Sequence, residues 1–209
     1  MAYRCVATSV AGFVQQLAVA YIANGYWFYV AGRIPERKEP AKTDAKIIAQ
    51  YDLDVSKWTR ARRRKAGAAS VQYLRCGRFY VIVATHGEHP FFAAEGRQVH
   101  DFRRRPLFCE GYSIGCRRAR GGGAWHASVR IQRERCGEEK ARLAALALTC
   151  SVEEIAAELR GLRWEPYAPV REQLHGLLRS INRRRKAAGL ELVPSGALWW
   201  RRRPVRPFE

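Results

Sequence analysis

The chain has 209 residues, 47% of them hydrophobic; a chain of this size removes about 70% of its unfolded surface from water, which argues against disorder. Lys and Arg number 38 against 19 Asp and Glu, for a formal charge of +19. Such an excess repels itself and calls for a polyanionic partner, most commonly nucleic acid.

Taken in order, residues 3–8 read as a short strand. Ser9 then caps a helix in which Val10, Phe13, Val14, Leu17, Ala18, Tyr21 and Ile22 recur at helical spacing, and Asn24-Gly25 ends it. This apolar stretch is broken by Gln15 and Gln16 and is shorter than the roughly 18 residues of a spanning helix, so no membrane segment is expected. The aromatic run at 26–30 favours a core strand. After a charged, proline-bounded loop at 33–40, Thr43 or Asp44 opens a helix through Tyr51, and Lys57–Lys65 forms another with a strongly basic end. Residues 70–75 and 79–85 predict a hairpin around Cys76-Gly77-Arg78. A short helix is expected over 91–102, and a second hairpin over 107–117 and 125–133, with a glycine-rich turn at 119–124.

The final third is helical. Helices are predicted over 138–148, over 151–162 behind a capping box of Ser151 and Glu154, and over 170–188, after a rigid break at 164–169. The tail at 198–208 is aromatic, basic and extended. The expected fold class is α+β: a mostly antiparallel sheet with a β-α-β opening, helices on one face, and a C-terminal helical extension. The expected division is an α+β core domain at 1–136 and a basic helical extension at 137–209, either separate or packed on the core as one unit. The six cysteines form no CxxC pair, and the N-terminus lacks a signal-peptide pattern. An intracellular, cytoplasmic protein with reduced thiols is therefore expected.

Four basic clusters are the main functional signal. They are Arg60, Arg62, Arg63, Arg64 and Lys65; Arg103, Arg104 and Arg105; Arg117, Arg118 and Arg120; and Arg183, Arg184, Arg185 and Lys186 together with Arg201, Arg202 and Arg203. Each falls at an element end or in a turn, where long side chains and free backbone N–H groups can reach phosphates. Trp58, Phe102, Phe108, Tyr112, Trp199 and Trp200 neighbour them, and bases can stack on such rings. Because Trp199 and Trp200 face opposite ways if extended, Trp200 is a candidate platform beside Arg201. In the turn at 119–124, three glycines let backbone amides approach a phosphate.

A second signal is Thr85-His86-Gly87-Glu88-His89-Pro90, directly after a predicted strand. His86 and His89 are the right residue types to hold a divalent metal such as Mg²⁺ or Mn²⁺, with Glu95, His100, Asp101 and Glu110 as further groups. His126 can approach them if the strands pair. Glu88 or a histidine would then move a proton, and Tyr112 is a candidate nucleophile. The β-α-β opening, the antiparallel sheet and the histidines at a strand resemble, in architecture only, the His-hydrophobe-His endonucleases, which nick single-stranded DNA with a tyrosine. This chain has His-Gly-Glu-His instead, so no catalytic residue is carried over.

Three functions compete. The first is a module that clamps DNA or RNA through arginine-rich edges and turns. The second is a metal-dependent nuclease or transposase-like enzyme of a mobile element, using His86, Glu88, His89 and His126. The third is a structural component of a ribonucleoprotein.

Overall fold

Residues whose apolar side chains alternate or run continuously become the strands of an α+β fold with antiparallel sheets. The computed structural model describes residues 3–119, 121–201 and 205–208. Two compact units emerge, one from Met1–Leu107, Ile114–Ser128 and Val205–Glu209, the other from Phe108–Ser113 and Val129–Pro204. Among the described residues no helix is long and apolar enough to cross a membrane.

The first unit is built on a four-stranded sheet. Its strands are β1 (Phe28–Arg33), β2 (Val71–Cys76), β3 (Phe79–Ala84) and the short β4 (His100–Asp101), in the order β2-β3-β1-β4. Every pairing is antiparallel, with Val30 opposite Ile82 and Ile82 opposite Tyr73. Val81 to Ala84 are all buried, so both faces of β3 are covered. On one face lie Ile47 of α2 (Pro40–Gln50), Tyr51, Leu53 and Phe91. On the other is α1 (Val10–Gln15), whose Phe13 meets Phe79 edge to face with centroids 5.7 Å apart. Helices thus cover both faces of the sheet rather than one, because Val81 and Val83 are as apolar as their neighbours.

Two expectations change at the N-terminus. Residues 3–8 make only a single parallel bridge, Val6 to Arg75, so the first strand of the β-α-β opening is reduced to that bridge. The segment instead closes the outer edge of β2: Arg75 N donates to Cys5 O, Ala7 N to Arg75 O, and Tyr73 N to the Tyr3 hydroxyl. The helix begins as expected, with the Ser9 hydroxyl accepting from Gly12 N, but widens into π turns at Gln16–Tyr21 and ends in a 3₁₀ turn. There the Asn24 amide donates to Val19 O and Ala20 O, and Gly25 takes φ +87°.

The helix expected over 91–102 is shorter. α4 (Pro90–Glu95) ends at Gly96, whose φ of +48° breaks it, and the chain re-enters the sheet as β4. The second hairpin is three strands, β5 (Leu107–Cys109), β6 (Tyr112–Arg118) and β7 (Trp125–Ile131), since Glu110 and Gly111 turn the chain with positive φ.

In the second unit, α5 (Arg133–Leu146), α6 (Val152–Gly161) and α7 (Ala168–Ala187) carry the helical portion. The capping box at Ser151 and Glu154 is formed in both directions. Side chains fasten the irregular backbone: the Gln173 amide both accepts from Ile131 N and donates to Ile131 O, and Asn182 does the same with Val193. The boundary expected at Cys136-Gly137 falls inside α5.

Candidate nucleic-acid interface

Helix α3 (Lys57–Lys65) follows an N-cap in which the Ser56 hydroxyl accepts from Thr59 N. Its sequence, KWTRARRRK, has no apolar stripe, and none of its residues is buried. Arg62, Arg63, Arg64 and Lys65 fill the last turn, where they also offset the helix dipole. Arg63 pairs with Asp52 at 2.6 Å, and Arg60 donates to Val55 O at 2.7 Å. Trp58 is 77% exposed, the most exposed large hydrophobic side chain among the described residues.

A second basic group is layered with aromatics. The Asp101 carboxylate grips Arg103 through its Nε and Nη2 and also accepts from Arg103 N at 2.8 Å. So held, the guanidinium lies 4.4 Å from the centroid of Trp27, 5.7 Å from Phe28 and 6.0 Å from Trp125. Arg118 covers Trp125 at 5.2 Å. The result is a ladder of Arg118, Trp125, Arg103 and Trp27, half-buried except at the exposed Arg118, with Arg104, Arg105 and Arg117 exposed nearby in sequence. Burial pulls the Asp101 carboxyl upward, but the hydrogen bonds and charge of Arg103, with Arg104 behind them, outweigh it and hold the group below its usual range. Sequence reading finds Arg103 but not Trp27 or Trp125, because the strand-like runs around both rings read as core.

The glycine-rich turn is closed by Ala119 N donating to Ala124 O, with Gly121 and Gly122 at positive φ. Arg120, Arg202 and Arg203 lie outside the described residues.

In α7, Arg183, Arg184 and Lys186 are exposed, but Arg185 is not. It is 4% exposed, and its guanidinium donates to Ala147 O, Cys150 O and Glu191 O. The assignment of Arg185 to a phosphate surface is therefore corrected: it lies on the apolar face, four residues after Ile181, and ties three carbonyls together.

The aromatics also separate. Phe102 is buried and stacked on Tyr29 at 4.2 Å. Tyr112 is buried against Trp164, its hydroxyl accepts from Glu165 N at 3.0 Å, and burial raises its pKa. Neither ring is available as a platform or nucleophile. Phe108 stays exposed. Of the tryptophan pair, Trp199 is the more open at 42%, while Trp200 is half-buried with its ring 5.7 Å from that of His175. Arg201 Nε pairs with Glu165 at 3.1 Å.

The histidine loop does not gather its groups. His86 is exposed, 6.4 Å from the ring of Phe28, and His126 is exposed on β7. Glu88 serves through its backbone, taking Ala69 N on its carbonyl and giving its own N–H to Gly67 O. His89 caps α4, its Nδ1 accepting from Phe91 N at 3.1 Å. Burial, and then the charge of Arg63, lower its pKa against the opposing pull of Asp52, which keeps that acceptor neutral. Two of the other acids nearby have partners of their own: Glu95 takes the Tyr51 hydroxyl, and Asp101 takes Arg103. Among the described residues no group of three or more His, Cys, Asp or Glu side chains is placed to hold a metal ion. The expected convergence of His86, Glu88, His89 and His126 on one catalytic centre is thus not found. The six cysteines form no disulfide, and burial, with Asp44 and Asp101 adding to it, pushes Cys5 and Cys116 up to about 11.

No family model, no curated protein and no solved structure matches this chain.

Proposed function

We propose that the protein binds nucleic acid, DNA or RNA, through its phosphate backbone, with α3 as a principal contact. The observation that carries this reading is a helix with no buried residue that ends in four consecutive cations and exposes a tryptophan. Isolated helices shorter than about 12 residues are marginal in water, and most protein helices persist because one face is buried. α3 has nine residues and no such face, so its composition is not explained by the core. A row of arginines matches a row of phosphates, since each guanidinium can fork onto one. The Arg103–Trp27 ladder and the exposed Arg117, Arg118, Arg183, Arg184 and Lys186 extend the same chemistry.

The test is binding of labelled single-stranded and duplex DNA and RNA to wild type and to a variant carrying Arg62→Ala, Arg63→Ala, Arg64→Ala and Lys65→Ala, over a salt series. Wild-type affinity should fall steeply with salt. The variant should neutralise up to four fewer phosphates, and each one should reduce the log–log slope by about 0.7–0.9. Absence of binding to any of the four polymers at low salt would sink the reading.

A further inference from the structure

We infer that the second unit holds a separate site for one unpaired nucleotide, with Trp199 stacking on the base and Arg160 and Arg163 taking the phosphate. This deepens the nucleic-acid reading and rests on it. The site is an open pocket of about 800 Å³ lined by Arg160, Arg163, Gly196, Leu198, Trp199, Trp200 and Arg201. That size lies in the roughly 300–1,000 Å³ range of small-ligand pockets.

Local structure explains the arrangement. α6 ends at Gly161, and the backbone leaves it through tight bonds, Leu162 N to Leu159 O and Arg163 N to Gly161 O. Arg160, in the last turn, and Arg163, just beyond it, are both exposed. The incoming segment turns at Ser195–Ala197 and then runs extended from Leu198. Leu198 is buried and Trp199 is exposed, as alternation along an extended chain requires. The Arg163 guanidinium sits 6.0 Å from the Trp199 ring centroid. Trp200 is steadied by His175, and Arg201 by the buried carboxylate of Glu165.

Chemistry selects the ligand. Three guanidiniums against one carboxylate leave the pocket cationic, which suits an anion. An indole left 42% exposed beside them adds a flat apolar face, which a bare anion does not use. A base joined to a phosphate matches both, and only a base outside a duplex stack offers its face. The pair Arg160 and Arg163, three apart across a helix end, is visible in the sequence. It escapes sequence reading because neither residue belongs to an arginine run.

The experiment follows the indole N–H resonances of the full chain during titration with adenosine 5′-monophosphate, its 2′-deoxy form, adenosine and inorganic phosphate. Trp199→Phe assigns the resonance. Both nucleotides should shift the Trp199 signal, and adenosine or phosphate alone should bind at least about tenfold more weakly, since stacking and charge each supply part of the affinity. Trp199→Ala and the double change Arg160→Gln with Arg163→Gln should each weaken nucleotide binding by roughly tenfold, with the remaining indole signals showing the fold intact. A ribo or deoxy preference identifies which polymer supplies the nucleotide. The inference is overturned if the Trp199 resonance does not move, or if inorganic phosphate binds as well as the nucleotide and Trp199→Ala changes nothing. Because a mononucleotide needs no contact with α3, these results stand apart from the polymer assay. Loss of the nucleotide site with polymer binding retained refutes only this inference, whereas a nucleotide site with no polymer bound at low salt sinks the nucleic-acid reading instead.

Discussion

At the scale of single residues, the same side-chain type does opposite work depending on what lies beside it. Arg103 is gripped by Asp101 and laid over Trp27, whereas Arg62 and Arg64 on α3 are left to solvent. The Asp101 carboxyl, held below its usual range, makes this arrangement pH-dependent. A carboxyl whose folded pKa lies below its unfolded value, near 3.9, stabilises the fold above that value and loses the contribution as pH falls through the folded pKa. Asp101→Asn keeps an acceptor for Arg103 N–H but removes the charge. It should cost about 1.5–3 kcal/mol at pH 7, the usual worth of hydrogen bonds to a charged group. The gap between wild type and variant in denaturant titrations should be full at pH 7 and close in acid, once pH has fallen through the depressed folded pKa and the wild-type carboxyl is itself protonated. An equal gap at both pH values would show that the ion pair is not its source.

At the scale of elements, α7 shows what periodicity reveals and what it hides. Val170, Leu174, Leu177, Leu178 and Ile181 are legible as a buried stripe, and all are buried. Continuing that spacing by four reaches Arg185, yet a run of four cations reads as one solvated cluster. What distinguishes Arg185 is three carbonyls from Ala147, Cys150 and Glu191, brought together only by tertiary folding. The β2–β3 hairpin, α3 and the Ser151 capping box can be read locally because each is specified by neighbouring residues. The π turns after α1, the reduction of residues 3–8 to one bridge and the sheet re-entry at β4 depend on distant partners. The candidate site divides in the same way: arginine runs are visible, but Trp27, Trp125, Arg160 and Arg163 enter only through geometry. Arg185→Met should orphan the three carbonyls at about 1–3 kcal/mol for each one left unsatisfied. Calorimetry should then show a fall in Tm of at least about 6 °C if all three are orphaned, at roughly 2–4 °C per kcal/mol for a chain of this size. Replacing Arg183, Arg184 and Lys186 together by Ala should leave Tm within about 2 °C, since exposed substitutions usually cost little. A matching drop in both variants would mean that the run acts as a unit in folding.

At the scale of the whole molecule, charge is the dominant fact. A formal +19 over 209 residues means that many cations lack an acidic partner, and folding concentrates them. The ion pairs that do form, such as Arg75 with the buried Asp44 and Arg142 with Glu139 and Glu158, use carboxylates to lock particular side chains in place rather than to neutralise the surface. The uncompensated repulsion is long-ranged at low ionic strength, where the Debye length is about 30 Å at 0.01 M salt, and short-ranged at about 8 Å in 0.15 M. Stability should therefore rise with sodium chloride over that interval, opposite to a protein held by surface ion pairs, whose attraction salt would screen. A gain of about 1–2 kcal/mol would appear as an increase of roughly 2–8 °C in Tm. The quadruple alanine variant of α3 removes four positive charges and no buried side chain, so it should melt higher than wild type at 0.01 M salt and approach it at 0.15 M. Were wild type to melt at the same temperature across the series, self-repulsion would not be a cost of this surface. The charge excess would then lose its force as an argument for a polyanionic partner, leaving the nucleic-acid reading to stand on α3 and the binding assay alone.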